Sequence, residues 1–504
     1  MEENSFSEPS RQSPVAILIF LIKFVKMTVR QAIPIIISLI IGLRKIEFAS
    51  WMVYIGAIVI AAIYIFFSIY SYLRFYYHIK DGEIIIKKGV FTRTTINLPF
   101  EKIQTIDFKQ NLIQQIFGVV EFAIDSAGSS KKEVSLSAIS SAHAEKLREY
   151  ILSEKKNIAH EETASGEDTV ERETIPPKLI LRLTIPELLK VGITQNHIKS
   201  LGLIFVFFFG LLDQVRKLTE EADIGEDQLE ETVNTYYEET MLMWIWLIML
   251  VFVMVVPIFV SLFTTVFRYF DMQLLLGSDG IKLKSGLLNK KQRSTTLNKV
   301  QTISWGWNPL QKLLGLFTIK LYPATASAIK QKSILIIPGS REAQVDSLLD
   351  ALHFTENSQD LKTHRMSSVY YVRWSVIVGV IPAIIIGSVL AYFHGWYALT
   401  TLLWPLFIFT ESYVEYRKWR LYTNPHIIKL RYGLFGIHHK IIYWHKIQAI
   451  TVSQSPYQYR KELATVTCYQ AGHQINIPYI SLELAKQIEQ YALYKIETDQ
   501  KGWM

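Results

Sequence analysis

Three sets of residues in this chain are of types and spacings that could do chemistry. The first lies late in the sequence: His438, His439, His445, Cys468 and His473. Neutral imidazoles and a thiolate are ligands of tetrahedral metal sites. Their spacing matches no usual ligand pattern, and His438 and His439 would point to opposite faces of a strand. Surface and strand histidines are therefore expected, with no metal and no cofactor. The second set is basic: Lys282, Lys284, Lys290, Lys291, Arg293 and Lys299. Beside a bilayer such a set attracts anionic headgroups at about 1 kcal/mol per residue. An ordinary solvated face is the alternative. The third is a Lys-x-Gln motif, first met at Lys102 and Gln104. Read as a binding edge, its Lys contacts phosphate and its Gln a partner backbone. Read as structure, it fixes a turn next to a core residue, Ile103, and this is the expected role. The sequence contains no phosphate-binding loop, His-Glu-x-x-His helix, nucleophile elbow or dinucleotide fingerprint. No enzyme activity is expected.

The elements that carry these residues recur three times. Gly89-Val90-Phe91 is followed, thirteen residues after Gly89, by Lys102-Ile103-Gln104-Thr105-Ile106. Gly286-Leu287-Leu288 is followed at the same offset by Lys299-Val300-Gln301-Thr302-Ile303, and Gly433-Leu434-Phe435 by Lys446-Ile447-Gln448-Ala449-Ile450. Equal steps then reach Ile113, Leu310 and Tyr457, and later Ala127, Ala324 and Ala471. Fixed-period self-similarity marks a repeated structural unit. Each unit contains short β-branched runs and alternating segments, and closes on an amphipathic helix near 143–152, 342–352 and 482–494. Ile103, Val300 and Ile447 are expected as equivalent core positions. Five to seven strands with a closing helix predict a small β-sheet barrel or sandwich capped by a C-terminal helix.

Between the units lie apolar runs. Trp51 to Leu73 and Met241 to Phe263 each hold about 23 residues without a charge, and Trp374 to Phe393 about 20. Trp396 to Thr410 follows the turn at His394-Gly395 as a shorter return limb. Ala32 to Leu43 and Leu201 to Leu212 are weaker runs. Pairing them predicts three hairpins, about six transmembrane helices in all. The expected division is 1–73, an N-terminal segment with hairpin 1; 74–155, domain 1; 156–198, a linker; 199–265, hairpin 2; 266–354, domain 2; 355–371, a linker; 372–411, hairpin 3; and 412–504, domain 3.

Composition agrees with a membrane chain. Half of the 504 residues are hydrophobic, and mean hydropathy is positive. The net charge of +8 is modest, and no nucleic-acid partner is expected. A single cysteine precludes an internal disulfide framework. No cleavable signal peptide is expected. Acidic residues crowd the loop after Leu212, whereas Arg74, Lys80, Lys87, Lys88, Arg268, Arg417, Lys418 and Arg420 flank the runs opposite. The bias of Lys and Arg toward the cytoplasm predicts a multi-pass cell-membrane protein with both termini and all three domains cytoplasmic.

The Gly-Val-Phe, Lys-Ile-Gln-Thr-Ile, Leu-Ile-Gln-Gln-Ile-Phe-Gly and Ser-Ala-Gly stretches resemble the bacterial pleckstrin-homology, membrane-flanked domain. Three such domains after apolar hairpins resemble the YdbT-type multi-pass proteins of Gram-positive bacteria. In copy three, Tyr459-Arg460-Lys461-Glu462 replaces the apolar-Gly ending of the other copies. The resemblance implies a fold and a membrane location. It also suggests an envelope role, in tolerance to membrane-active agents, with a shorter single-domain membrane companion. The expected function is a non-enzymatic membrane scaffold whose domains bind a protein partner or inner-leaflet lipid. A transporter or channel component is the alternative, disfavoured because the longer runs lack midplane charges.

Overall fold

The computed structural model describes residues 6–27, 50–126, 134–163, 178–195, 202, 210, 239–277, 280–324, 334–356 and 360–498. In each copy a tight turn, a 3₁₀ turn and a capped short helix separate strands whose alternate residues face one core. Copy one contains β1 (Tyr76–Lys80), β2 (Glu83–Lys88), β3 (Thr94–Pro99), β4 (Ile103–Gln110), β5 (Val119–Ser126) and β6 (Val134–Ser140). Copy two contains β7 (Lys178–Arg182), β8 (Gln273–Gly277), β9 (Gly280–Ser285), β10 (Lys290–Thr295), β11 (Val300–Trp307), β12 (Phe317–Pro323) and β13 (Leu335–Ser340). Copy three contains β14 (Lys362–His364), β15 (Arg420–Thr423), β16 (Ile427–Tyr432), β17 (Ile437–Tyr443), β18 (Ala449–Ser453), β19 (Leu463–Gln470) and β20 (His473–Ser481). The copies close on the helices Ser141–Thr163, Glu342–Ala351 and Leu482–Thr498. Burial of apolar strand faces and one helix stripe is what drives such a sandwich. Ile103, Val300 and Ile447 are all buried, each in the core of its own copy.

The copies are not separate sheets. The order β6-β5-β4-β10-β9-β8-β7 joins half of copy one to half of copy two. The order β13-β12-β11-β17-β16-β15-β14 joins copies two and three in the same way. The remaining halves are the three-stranded sheets β1-β2-β3 and β18-β19-β20. The two expected linkers are also partly structural. Residues 178–195 form β7 and the helix Ile185–Ile193, and Lys362–His364 forms β14.

The count of about six transmembrane helices is not supported. Among the described residues, one helical segment, Val369–Lys418, is long and apolar enough to cross a membrane. Ile58–Leu73 and Val255–Tyr269 are shorter apolar stretches within the helices Ser50–Leu73 and Glu239–Tyr269. The runs Ala32 to Leu43 and Leu201 to Leu212, and the acidic loop, lie outside the described residues apart from positions 202 and 210. Charge-free length in a sequence does not report how a helix is divided. Within Val369–Lys418 the chain reverses at Gly395, whose φ is +57°. Its limbs are tied by the Trp404 indole donating to the Val378 carbonyl at 2.8 Å and by Ser375 and Ser412 hydroxyls 3.0 Å apart.

Candidate functional site

The turns and short helices that the repeat motifs encode fasten each sandwich to an apolar helix. Gly89, Gly286 and Gly433 have φ of 125°, 111° and 133°, open only to glycine, and a Cβ at each would strike backbone across the turn. Each turn packs on the last part of the preceding apolar helix. Phe91 lies 5.4 Å from Phe67 between ring centroids. Leu287 N–H donates to the Phe267 carbonyl at 3.0 Å. Lys418 Nζ donates to the Leu434 carbonyl.

The short helices are held by three copies of one capping box. Asn111, Asn308 and Ser455 accept from the N–H of Gln114, Gln311 and Gln458, whose side chains accept in return. Those glutamines are buried and donate onward to the Ser137 carbonyl, Thr318 Oγ1 and Thr465 Oγ1. In two copies the cap residue also holds the outgoing apolar limb. Asn308 donates to the Thr194 carbonyl at 2.6 Å, and Arg373 donates to Ser455 Oγ at 3.0 Å. This Asn/Ser-x-x-Gln spacing was readable in the sequence and is missed by the Lys-x-Gln motif beside it.

The first shared sheet opens a cavity of about 370 Å³ between copies one and two. Lys109, Lys284, Lys290 and Lys291 line it, with Gln110, Gln292, Ser141 and Ser285, against Glu145 and Asp271. The register places Lys291 opposite Lys109. Like charges directly across a strand pair repel unless neighbouring groups offset them, and Glu145 and Asp271 line the same cavity. Asp271 is already engaged by Arg182 at 3.0 Å. Gly286 also lines the cavity, so the cations sit at the foot of the helix Glu239–Tyr269.

The structure divides the rest of the basic set. Lys282 is half-buried. Burial and then Arg148 push its pKa down, while Glu145 and, more weakly, Glu149 oppose this. Arg293 donates to the Ile334 carbonyl at 3.1 Å. Lys299 ends the 3₁₀ turn Leu297–Lys299, as Lys102 ends Phe100–Lys102. Lys102 is exposed, and the side chain of Gln104 lies outside the described residues. None of these lines the cavity.

At the second joint the equivalent Lys446 is buried. Its Nζ donates to the Asn298 carbonyl at 3.0 Å and the Val300 carbonyl at 2.5 Å, and burial lowers its pKa to about 8. Cys468 lies in the core of copy three, its thiol pushed up to about 12 by burial. His439 stacks on Trp305 at 5.1 Å and His473 on Tyr322 at 4.3 Å. Burial, then nearby cations, lowers both histidines to about 4. Among the described residues no group of three or more His, Cys, Asp or Glu is placed to hold a metal.

The same three units are what comparison with known proteins finds. The Bacterial PH domain family matches residues 19–155, 217–353 and 369–496. The chain belongs to that family. It is 24% identical over 476 residues, 92% of each chain, to the transmembrane protein YdbT of Bacillus subtilis (strain 168). No solved structure matches it. The family thus accounts for the three sandwiches, and each matched region spans the strands of one copy, except β7 and β14, together with apolar sequence before them.

Proposed function

We propose that this bacterial PH protein is a non-enzymatic membrane scaffold that holds anionic lipid headgroups in the lysine-lined cavity between copies one and two. The observation that carries the reading is the convergence of Lys109, Lys284, Lys290 and Lys291 on one cavity. The cavity adjoins a turn packed on an apolar helix, so a headgroup phosphate in the facing leaflet lies within reach. Charge-assisted bonds from lysine to phosphate are the chemistry that would hold it.

Strand pairing supports a same-sided, multi-pass arrangement. Ser10 bridges Tyr77, Arg182 pairs with Gln273, and His364 pairs with Leu421. The chain therefore leaves and re-enters each sandwich at one sheet edge, which fits an even number of crossings between. The shared sheets favour a common face of the membrane for all three copies. The basic flanks favour the cytoplasmic face. The similarity to a protein named as transmembrane fits this location.

The test is the lipid that accompanies the full chain out of native membranes. Mild detergent extraction followed by lipid analysis should find anionic phospholipid enriched over the bulk membrane. The triple variant Lys284→Glu, Lys290→Glu, Lys291→Glu should lose that enrichment. Enrichment that is absent in the parent, or unchanged in the variant, would remove the proposal.

A further inference from the structure

The joint between copies is a repeated device, and the chain uses it twice while leaving its two halves open at the ends. In the first joint β10 pairs with β4, and in the second β17 pairs with β11, both antiparallel. The registers agree. The residue five beyond the turn glycine faces the residue five beyond the motif glutamine: Lys291 faces Lys109, and His438 faces Gly306. In copy one β3, the repeat equivalent of β10 and β17, ends the sheet β1-β2-β3. In copy three β18, the equivalent of β4 and β11, ends the sheet β18-β19-β20. Among the described residues neither strand has a partner on its outer side.

Apart from Pro99 at the end of β3, these two edges lack the usual protection. An exposed edge strand is ordinarily blunted by charge, bulges or a covering element, because its free N–H and C=O groups template pairing with another chain. β3 reads Thr-Thr-Ile-Asn-Leu-Pro and β18 reads Ala-Ile-Thr-Val-Ser, with no charged residue in either. Burial marks the difference that a partner makes. β11, paired on both sides, is buried at every position before Trp307, whereas β18 alternates exposed and half-buried residues.

We infer that β18 of one molecule pairs antiparallel with β3 of a second copy of this chain, repeating the internal joint head to tail. The internal register carries over, so Thr94 faces Ser453 and Leu98 faces Ala449. A second copy is the occupant that the fold specifies, because this chain twice builds the same β3-type to β18-type pairing within itself. A head-to-tail contact between different surfaces propagates as a ring or an open row.

Site-directed disulfide formation on the full chain tests this. Cys468 is the lone cysteine and is buried, so Cys468→Ala gives a thiol-free background. Thr94→Cys and Ser453→Cys are carried on separately tagged chains, expressed together and oxidised in native membranes. Directly opposed residues lie within disulfide reach. The expected result is a two-chain product linking the tags. Thr94→Cys with Thr451→Cys, on the same face but two residues out of register, should give several-fold less. Both exposed cysteines must react with a soluble maleimide when unoxidised, which shows that the chains are present and accessible. No linked product from reactive cysteines, equal yields from the two pairs, or linkage only to a different protein would each overturn the inference.

Discussion

The joint between copies one and two and the joint between copies two and three are built on one plan and finished differently. Each pairs the strand after the turn glycine of one copy, β10 or β17, with the strand after the Lys-x-Gln motif of the copy before it, β4 or β11. At the first joint the strand ends carry lysines that face each other, and a cavity remains. At the second, Trp305 and His439 stack, Lys446 is consumed by backbone carbonyls, and Gln470 hydrogen-bonds the Gln301 carbonyl and Thr302. A duplicated unit can thus supply a structural seam in one place and a charged site in another. Equivalent position does not mean equivalent role.

That contrast can be broken by mutation. The largest effect should come from Ile303→Asp, which buries an unpaired charge in copy two and should cost at least about 3 kcal/mol. Copy two contributes strands to both shared sheets, so limited proteolysis should open both neighbours. If copies one and three stay protected, the sheets are not coupled as described.

Next comes Lys446→Ala. It leaves the Asn298 and Val300 carbonyls without their donor and should cost about 1–3 kcal/mol, seen as a lower melting temperature. Lys446 also gives a pH signature. Its folded pKa, about 8, lies below the ordinary 10.5. Below pH 8 it is charged in both states, and the burial penalty is fully present. As pH rises from about 8 toward 10.5 the unfolded chain holds more protons, so stability should increase. Lys440, similarly lowered to about 8 by burial and then Lys320, adds to the same window. Lys446→Met should reduce the slope of melting temperature against pH there without removing it.

A smaller gain is expected from Glu462→Gly. Glu462 has φ of +52°, at the repeat position held by Gly118 and Gly315 with φ of +63° and +64°. The non-glycine conformation carries about 1 kcal/mol of strain, which the substitution should return as a higher melting temperature. Smallest of all is Lys102→Ala. Its side chain is exposed, so stability should move by less than about 0.5 kcal/mol.

How much of this was legible in the sequence depends on the range of the interaction. The repeat offsets located the buried Ile103, Val300 and Ile447 because core positions recur at fixed steps. His394-Gly395 marked the reversal because a turn is local. The Tyr459-to-Glu462 departure looked like a lost ending, yet the backbone there keeps the same left-handed turn. Strand partners were not legible. Nothing near Lys290 announces that it will lie against Gln110, since the pairing spans the whole apolar insertion. For the same reason the basic set read as one patch, whereas only Lys284, Lys290 and Lys291 of it reach the cavity, joined there by the unflagged Lys109.

The first joint, and not the second, is the proposed site for anionic headgroups. The most direct measurement is the preference of the reconstituted full chain for spin-labelled anionic over zwitterionic lipid at low salt. The parent should show a clear anionic preference that weakens as salt screens it. Lys290→Glu with Lys291→Glu should abolish the preference. The matched changes at the second joint, Ile437→Glu with His438→Glu, should leave it intact in protein that remains folded. Equal loss at both joints, or an unchanged preference in the Lys290 and Lys291 variant, would contradict the account.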